Sequence, residues 1–205
     1  SQVRFVSNAN PTFVFDAAGS SPKIGANVSV WNEHGSSNQK WYLSLGSDGY
    51  YTIKSASNQK FILDAAGSTP KQGSNLSLWT SHGGYNQKWI LEPLGSDNYI
   101  IRNAANPNLV LDAAGSSPKQ GANVSVWSKH GGKNQRWKIS KVTTPTFDAN
   151  KTYEITSASN SGYTLDAAGS TPKIGSNVSI WSKHGGKNQR WYLIPDGKGY
   201  YTIRS

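Results

Sequence analysis

The stretch from Asp112 to Trp137, DAAGSSPKQGANVSVWSKHGGKNQRW, occurs four times in the chain with small changes. Asp-Ala-Ala-Gly begins at Asp16, Asp64, Asp112 and Asp166. The glutamine of a Gln-Lys/Arg-Trp triplet follows each aspartate at one fixed offset, at Gln39, Gln87, Gln135 and Gln189. The first three copies are evenly spaced, and the fourth is set slightly further on. Copies three and four differ only where Ser117, Gln120, Ala122 and Val126 become Thr171, Ile174, Ser176 and Ile180. All eight tryptophans fall into two columns: Trp31, Trp79, Trp127 and Trp181, and then Trp41, Trp89, Trp137 and Trp191. The four histidines, His34, His82, His130 and His184, form a third. So long and regular a period marks a fold made by stacking equivalent units, each too small to bury a core alone.

Within a copy the pattern is that of short strands. In the second, YYTIKSA, KFILDAAG, NLSLW and QKWILEPL are apolar stretches separated by Gly, Asn, Ser and Pro. NLSLW and NVSVW alternate with period two, as strands with one buried face do. The Ser/Thr-Pro-Lys and His-Gly-Gly segments are turn signals that leave no room for a helix of useful length. Four strands per copy are expected, and three copies give a closed twelve-stranded body without free edges.

Composition agrees with a turn-rich β protein. The 205 residues include 21 glycines, 11% aromatic and 16% charged residues, and the net charge is +10. There is no cysteine, so a disulfide framework, a thiolate metal site and a cysteine nucleophile are excluded. Mean hydropathy is −0.59, and no apolar run approaches the ~18 residues of a membrane-spanning helix.

Repeats of about 48 residues, each with a Gln-x-Trp motif, resemble the ricin B-type β-trefoil lectins over nearly the whole chain. They are also similar to family-13 carbohydrate-binding modules and to the haemagglutinin components of clostridial toxin complexes. The resemblance implies a pseudo-threefold fold that binds sugars. The fold class expected is all-β: a β-trefoil of three four-stranded repeats, followed by one lobe of a second trefoil. Val3, Tyr51, Tyr99 and Tyr153 each precede the repeat aspartate by the same interval, which fixes the boundaries. Residues 1–141 are expected to form the complete trefoil, with repeats at about 1–47, 48–95 and 96–141. The threonines and proline of SKVTTPTFDANK make 142–150 a linker. Residues 151–205 then hold the first repeat of a second trefoil and its next opening strand, since Tyr200–Ser205 repeats Tyr50–Ser55 with one change. A lone lobe buries too little. Either about two more copies follow in a longer parent chain, or lobes from three chains close a trefoil as a homo-oligomer.

Each copy sets a tryptophan and an asparagine at fixed intervals after its aspartate. The aspartate, at a turn after an apolar strand, either caps nearby backbone N–H groups or binds ligand. The second reading is the stronger because these residue types suit a sugar. A carboxylate accepts charge-assisted bonds from neighbouring hydroxyls, an amide offers donor and acceptor, and an aromatic face covers the C–H side of a pyranose. The resemblance implies the roles position by position. Asp16 is the hydroxyl acceptor, Trp31 the stacking platform, Asn38 the second polar contact, and Gln39 a brace for the aspartate that also helps complete the polar side of the sugar site. The same roles fall to Asp64, Trp79, Asn86 and Gln87, to Asp112, Trp127, Asn134 and Gln135, and to Asp166, Trp181, Asn188 and Gln189. His34, His82, His130 and His184 either donate to a sugar hydroxyl or brace their loop. Trp41 and its equivalents, set within a strand, are expected in the core. The glycine ending each Asp-Ala-Ala-Gly permits close backbone approach.

No catalytic residue, metal or cofactor is expected. Glycosidases need two carboxylates ~5–9 Å apart across one bond, and no copy repeats a second one in register: Glu33 is replaced by Ser81, Lys129 and Lys183. No Gly-x-Ser-x-Gly, His-Glu-x-x-His or phosphate loop is present. The basic charge is spread, with Lys23, Lys71, Lys119 and Lys173 recurring once per copy, which argues against nucleic acid as a partner. Lys129, Lys133, Lys183 and Lys187 add charge near the third and fourth sites, either as a solvated surface or as a preference for acidic glycans. The function expected is that of a non-catalytic multivalent lectin for galactose or N-acetylgalactosamine on cell-surface glycoproteins or glycolipids. The alternatives are a targeting segment of a toxin or glycoside hydrolase, and a protein-binding trefoil. A secreted location is expected, although the opening of the chain shows no signal-peptide progression.

Overall fold

In a computed structural model of the chain, residues 1–143, 146–197 and 200–205 are described. The chain divides into two compact units, Ser1–Thr143 and Thr144–Ser205. Thr144 and Pro145 of the expected linker lie outside the described residues. On either side of them, the Val142 amide donates to the Gln2 carbonyl at 2.9 Å in the first unit. Phe147 packs edge-on against Tyr153 and Tyr201 in the second.

The first unit is a β-trefoil. Its copies supply β1 (Gln2–Ser7), β2 (Phe13–Ala17), β3 (Val28–Asn32) and β4 (Trp41–Leu45); β5 (Tyr51–Ser55), β6 (Phe61–Ala65), β7 (Leu76–Thr80) and β8 (Trp89–Gly95); and β9 (Asn98–Asn103), β10 (Leu109–Ala113), β11 (Val124–Ser128) and β12 (Trp137–Lys141). The first and last strands of the copies pair antiparallel in the cycle β1-β4-β5-β8-β9-β12-β1, a closed six-stranded barrel. Closure leaves no edge to be capped. The middle strands form three hairpins, β2–β3, β6–β7 and β10–β11, each tied to its own copy's first strand by one residue pair. The helical elements among the described residues are single 3-10 turns, Ser37–Gln39, Tyr85–Gln87, Lys133–Gln135 and Lys187–Gln189.

Alternation along the hairpins sorts the side chains. Val28, Val30 and their equivalents in this unit point inward and are fully buried, while Ser29 and Trp31 point out. Trp41, Trp89 and Trp137 are buried in the core as expected, and Phe15 packs at 4.4 Å from Trp137 and stacks at 5.0 Å on Phe5.

The three hairpins also bind one another. Gly25, Gly73 and Gly121 donate to Leu78, Val126 and Val30 of the neighbouring copy at 2.7–2.8 Å. Asn27, Asn75 and Asn123 close a ring in which each amide nitrogen donates to the next amide oxygen at 2.8 Å. Each copy gives and receives the same bond, so the contact between copies is cyclic.

The second unit repeats these elements once: β13 (Thr152–Tyr153), β14 (Tyr163–Ala167), β15 (Val178–Ser182) and β16 (Trp191–Pro195), then β17 (Tyr201–Arg204). β13 and β17 flank β16 as β1 and β5 flank β4, and β14 pairs with β15 in the hairpin register of the other copies. Within its unit, among the described residues, the inward face of this hairpin has no neighbouring hairpin. Val178 is 49% and Ile180 60% exposed, where Val28, Val30, Leu76, Leu78, Val124 and Val126 are all at 0%.

Candidate functional site

The hairpin register builds each site. In the first copy Asp16 lies opposite Ser29, and Val14 opposite Trp31. Asp16 and Trp31 therefore share the outward face as diagonal neighbours. The second, third and fourth copies use the same pairings, Asp64 with Ser77, Asp112 with Ser125 and Asp166 with Ser179. A depression of about 320–490 Å³ lies over each pair, lined by the aspartate, the tryptophan, the histidine and the asparagine of its copy. The structure thus brings together four of the five recurring side chains at each expected site.

The fifth, the glutamine, lies beneath. Gln39 donates through Nε2 to Asp16 Oδ2 at 2.9 Å and to the Asn32 carbonyl at 3.0 Å, and its Oε1 accepts from the His34 amide at 2.9 Å. Gln87, Gln135 and Gln189 repeat all three bonds. With both donors and its oxygen engaged and the side chain buried, the glutamine is a brace and has no N–H left for a ligand.

The asparagine differs from expectation. Asn38 Nδ2 donates to Asp16 Oδ2 at 3.3 Å and to the Ala17 carbonyl at 3.0 Å, and the other copies repeat both bonds. Its two N–H groups are spent, so only Oδ1 remains, as an acceptor. The 3-10 turn explains this: it carries Asn38 and Gln39 as adjacent residues into the site, where both amides converge on one carboxylate oxygen.

The histidine is a brace as well. His34 Nδ1 accepts the Ser36 amide at 3.2 Å, and His82, His130 and His184 accept the amides of Gly84, Gly132 and Gly186 at 3.1–3.2 Å. An accepting Nδ1 puts the proton of the neutral ring on Nε2. Nε2 stands 3.2–3.6 Å from the same aspartate oxygen, Oδ2. Each histidine thus braces its loop through Nδ1 while its ring lines the depression.

Two amides thus hold Oδ2 in every copy, with the histidine facing it, while Oδ1 of each aspartate accepts no hydrogen bond from the described residues. Burial pushes the Asp112 carboxyl above its ordinary value, opposed by the hydrogen bonds from Gln135, His130 and Asn134. The glycine ending each Asp-Ala-Ala-Gly, at φ +87 to +90, would have an added Cβ in open space. Its backbone conformation requires glycine there, and crowding does not.

The platforms of the first unit are gripped from outside their copy. Trp31, Trp79 and Trp127 pack against Gly121, Gly25 and Gly73 of a neighbouring copy, at positive φ, 3.3–3.7 Å from where a Cβ would stand. These tryptophans are 41–44% exposed, against 62% for Trp181, whose copy has no neighbour in its unit. Sequence reasoning missed the serines that complete the lining: Ser20, Ser68, Ser116 and Ser170 after each glycine, and the serine opposite each aspartate. The signal for the serines opposite the aspartates was the polar position of the Val-Ser-Val-Trp alternation, and that for the others their fixed place after Asp-Ala-Ala-Gly.

Of the lysines near the third and fourth sites, Lys129 pairs with Glu92 at 3.0 Å and Lys183 with Glu154 at 2.7 Å. Among the described residues no group of three or more His, Cys, Asp or Glu side chains is placed to hold a metal ion.

The family profile described as "Ricin-type beta-trefoil lectin domain-like" matches residues 1–79, 37–127, 86–148 and 133–205. The chain belongs to this ricin-type β-trefoil lectin family. Members of the family are generally non-catalytic. Comparison with curated protein sequences returns no match. Among solved structures, the designed threefold-symmetric protein ThreeFoil is 31% identical with a TM-score of 0.64, over 69% of this chain and 99% of its own. The exo-β-1,3-galactanase 1,3Gal43A from Clostridium thermocellum is 30% identical with a TM-score of 0.63, over 69% of this chain and 30% of its own. The C-terminal half of an earthworm R-type lectin, solved with GalNAc, is 25% identical with a TM-score of 0.52, over 68% of this chain and 97% of its own.

Proposed function

We propose that this ricin-type lectin chain binds glycans ending in galactose or N-acetylgalactosamine through one site per copy, four in all, and carries no catalytic activity itself. One observation supports this most directly: each copy sets an exposed tryptophan beside a carboxylate whose Oδ2 is held by the protein and whose Oδ1 is open. A pyranose placed there lays its C–H face on the indole and gives a hydroxyl to Oδ1. Asn Oδ1 and the lining serines complete the polar side. The sugar class follows the resemblance and is supported by the GalNAc complex of the earthworm lectin. Each site is shallow, so useful affinity for cell-surface glycoproteins or glycolipids comes from several sites acting together, about 10²–10⁴-fold above one.

A glycan array compares the wild type with two quadruple variants. Asp16, Asp64, Asp112 and Asp166→Asn removes the charged acceptor, and Trp31, Trp79, Trp127 and Trp181→Ala removes platforms that lie at the surface. Galactose-terminated glycans are expected to bind the wild type and to be lost from both variants. Undiminished binding by the folded tryptophan variant overturns the site assignment. A second reading, the targeting segment of a larger glycan-active protein, is favoured by the galactanase, of which this chain matches 30%. The mass of the native polypeptide tests it.

A further inference from the structure

Next to the second site lies another depression, of about 480 Å³, which shares Ser68, His82 and Asn86 with it. Its other walls are Tyr50, Gly84, Tyr85, Ala104 and Ala105. Tyr85 stands just before Asn86 and Gln87 on the 3-10 turn that braces Asp64, and is 56% exposed. An aromatic ring so exposed is ordinarily mobile, but this one is held. Tyr50 meets it edge-on with centroids 5.7 Å apart. Lys88 Nζ lies 4.9 Å from its centroid and is itself fixed by Asp48 at 2.7 Å. The cation covers one face of the ring, and the ring itself lines the depression.

No other copy has these residues. Tyr85 is replaced by Ser37, Lys133 and Lys187, and Tyr50 by Gln2, Asn98 and Thr152. The Ala104 amide donates to Lys88, and the corresponding bonds, Ala56 to Lys40 and Asn8 to Arg136, identify the equivalents of the alanine floor. These are Ala56 and Ser57 beside the first site, and Asn8 and Ala9 beside the third. The other copies therefore place polar or charged groups where the second places two rings, and the first and third keep only one of its two floor methyls.

We propose that the second site is extended, with Tyr85 as the platform for a second pyranose of a glycan whose terminal sugar occupies the Asp64–Trp79 depression. The inference rests on the lectin reading above. The second site takes a disaccharide or longer glycan end, and the other three grip a single ring. The two sugars bridge Asn86 and His82, whose far sides are shared by the two depressions. Tyr85 is pre-organised by Tyr50 and Lys88, so stacking there orders no mobile side chain.

The test uses the full chain with Trp31, Trp127 and Trp181→Ala, which leaves the second site intact, titrated by NMR with galactose and with lactose. Lactose is expected to bind more tightly than galactose. Tyr85→Ser is expected to weaken lactose about five- to ten-fold and galactose by less than about two-fold. Tyr85→Trp is expected to restore the preference for lactose. Saturation transfer to the protons of the reducing ring is expected to vanish in Tyr85→Ser. Equal losses for both sugars, or none for lactose, overturn the second subsite and leave the lectin reading standing. If the parent variant, folded, binds neither sugar while the chain with all platforms binds both, the site is not at Asp64–Trp79 and the subsite falls with it. Failure of the wild type to bind any sugar overturns the lectin reading itself.

Discussion

The aspartate of each copy divides its oxygens between two tasks. Oδ2 takes the amides of Gln and Asn and faces the histidine, and Oδ1 is left for whatever enters. Burial raises the Asp112 carboxyl above its ordinary value. The ionised form is the one that accepts from a sugar hydroxyl, so affinity is lost as pH falls through the folded-state pKa. Because that value is raised at Asp112, the third site is expected to weaken at a higher pH than an ordinary carboxylate would allow. Galactose titrations between neutral and acidic pH check this, using a variant in which only the third platform, Trp127, is retained. No loss until the ordinary carboxylate range would contradict it.

At the scale of the element, the last strand of each copy begins with a core tryptophan, and these differ in one bond. Trp41, Trp137 and Trp191 donate through Nε1 to the carbonyls of Phe15, Leu111 and Leu165 at 3.0–3.4 Å. Trp89 Nε1 is buried without a partner. Trp137→Phe removes a hydrogen bond and strands a carbonyl, whereas Trp89→Phe removes an N–H that was already unpaired. Trp137→Phe is expected to cost about 1 kcal/mol more, or roughly 4 °C in the melting temperature of the first unit. Thermal melts followed by circular dichroism check the order, and the reverse order contradicts it. The strands themselves were plain in the sequence, because Val-Ser-Val-Trp alternates and each copy repeats it. The division of labour at the site was not. Spacing puts Asn38 and Gln39 near Asp16, but only the 3-10 turn shows that both of their amides close on Oδ2 and that the asparagine has no N–H to give. The exposed column Trp31, Trp79 and Trp127 and the buried column Trp41, Trp89 and Trp137 were separable in the sequence, the first ending a strand before a loop and the second set within one. The grip of Gly121 on Trp31 was not separable in this way, because it depends on which copies are neighbours.

At the scale of the whole molecule, four nearly equivalent units stand where a trefoil has three places. The fourth keeps the contact residues by which the other three hold each other, namely Gly175, Asn177, Val178 and Ile180, and in its own unit leaves that apolar face uncovered. The number of copies was legible from the period alone, but the uncovered face required the packing of the first three. Its consequence lies in the route to the folded state. A refolding chain has two sets of three consecutive copies from which to close a barrel, 1-2-3 and 2-3-4. Closing the second set strands the first copy and must be undone before the native pairing forms. Wild-type refolding from denaturant is therefore expected to show a slow phase that reports this reshuffling. Val178→Asp combined with Ile180→Asp puts charge on side chains that are exposed in the native structure but would be interior in the competing barrel. Stopped-flow tryptophan fluorescence is expected to show that phase lost in the double variant, and its persistence there would mean that the copies do not compete. The near identity that multiplies the sites also makes the copies rivals for the same place while the chain folds.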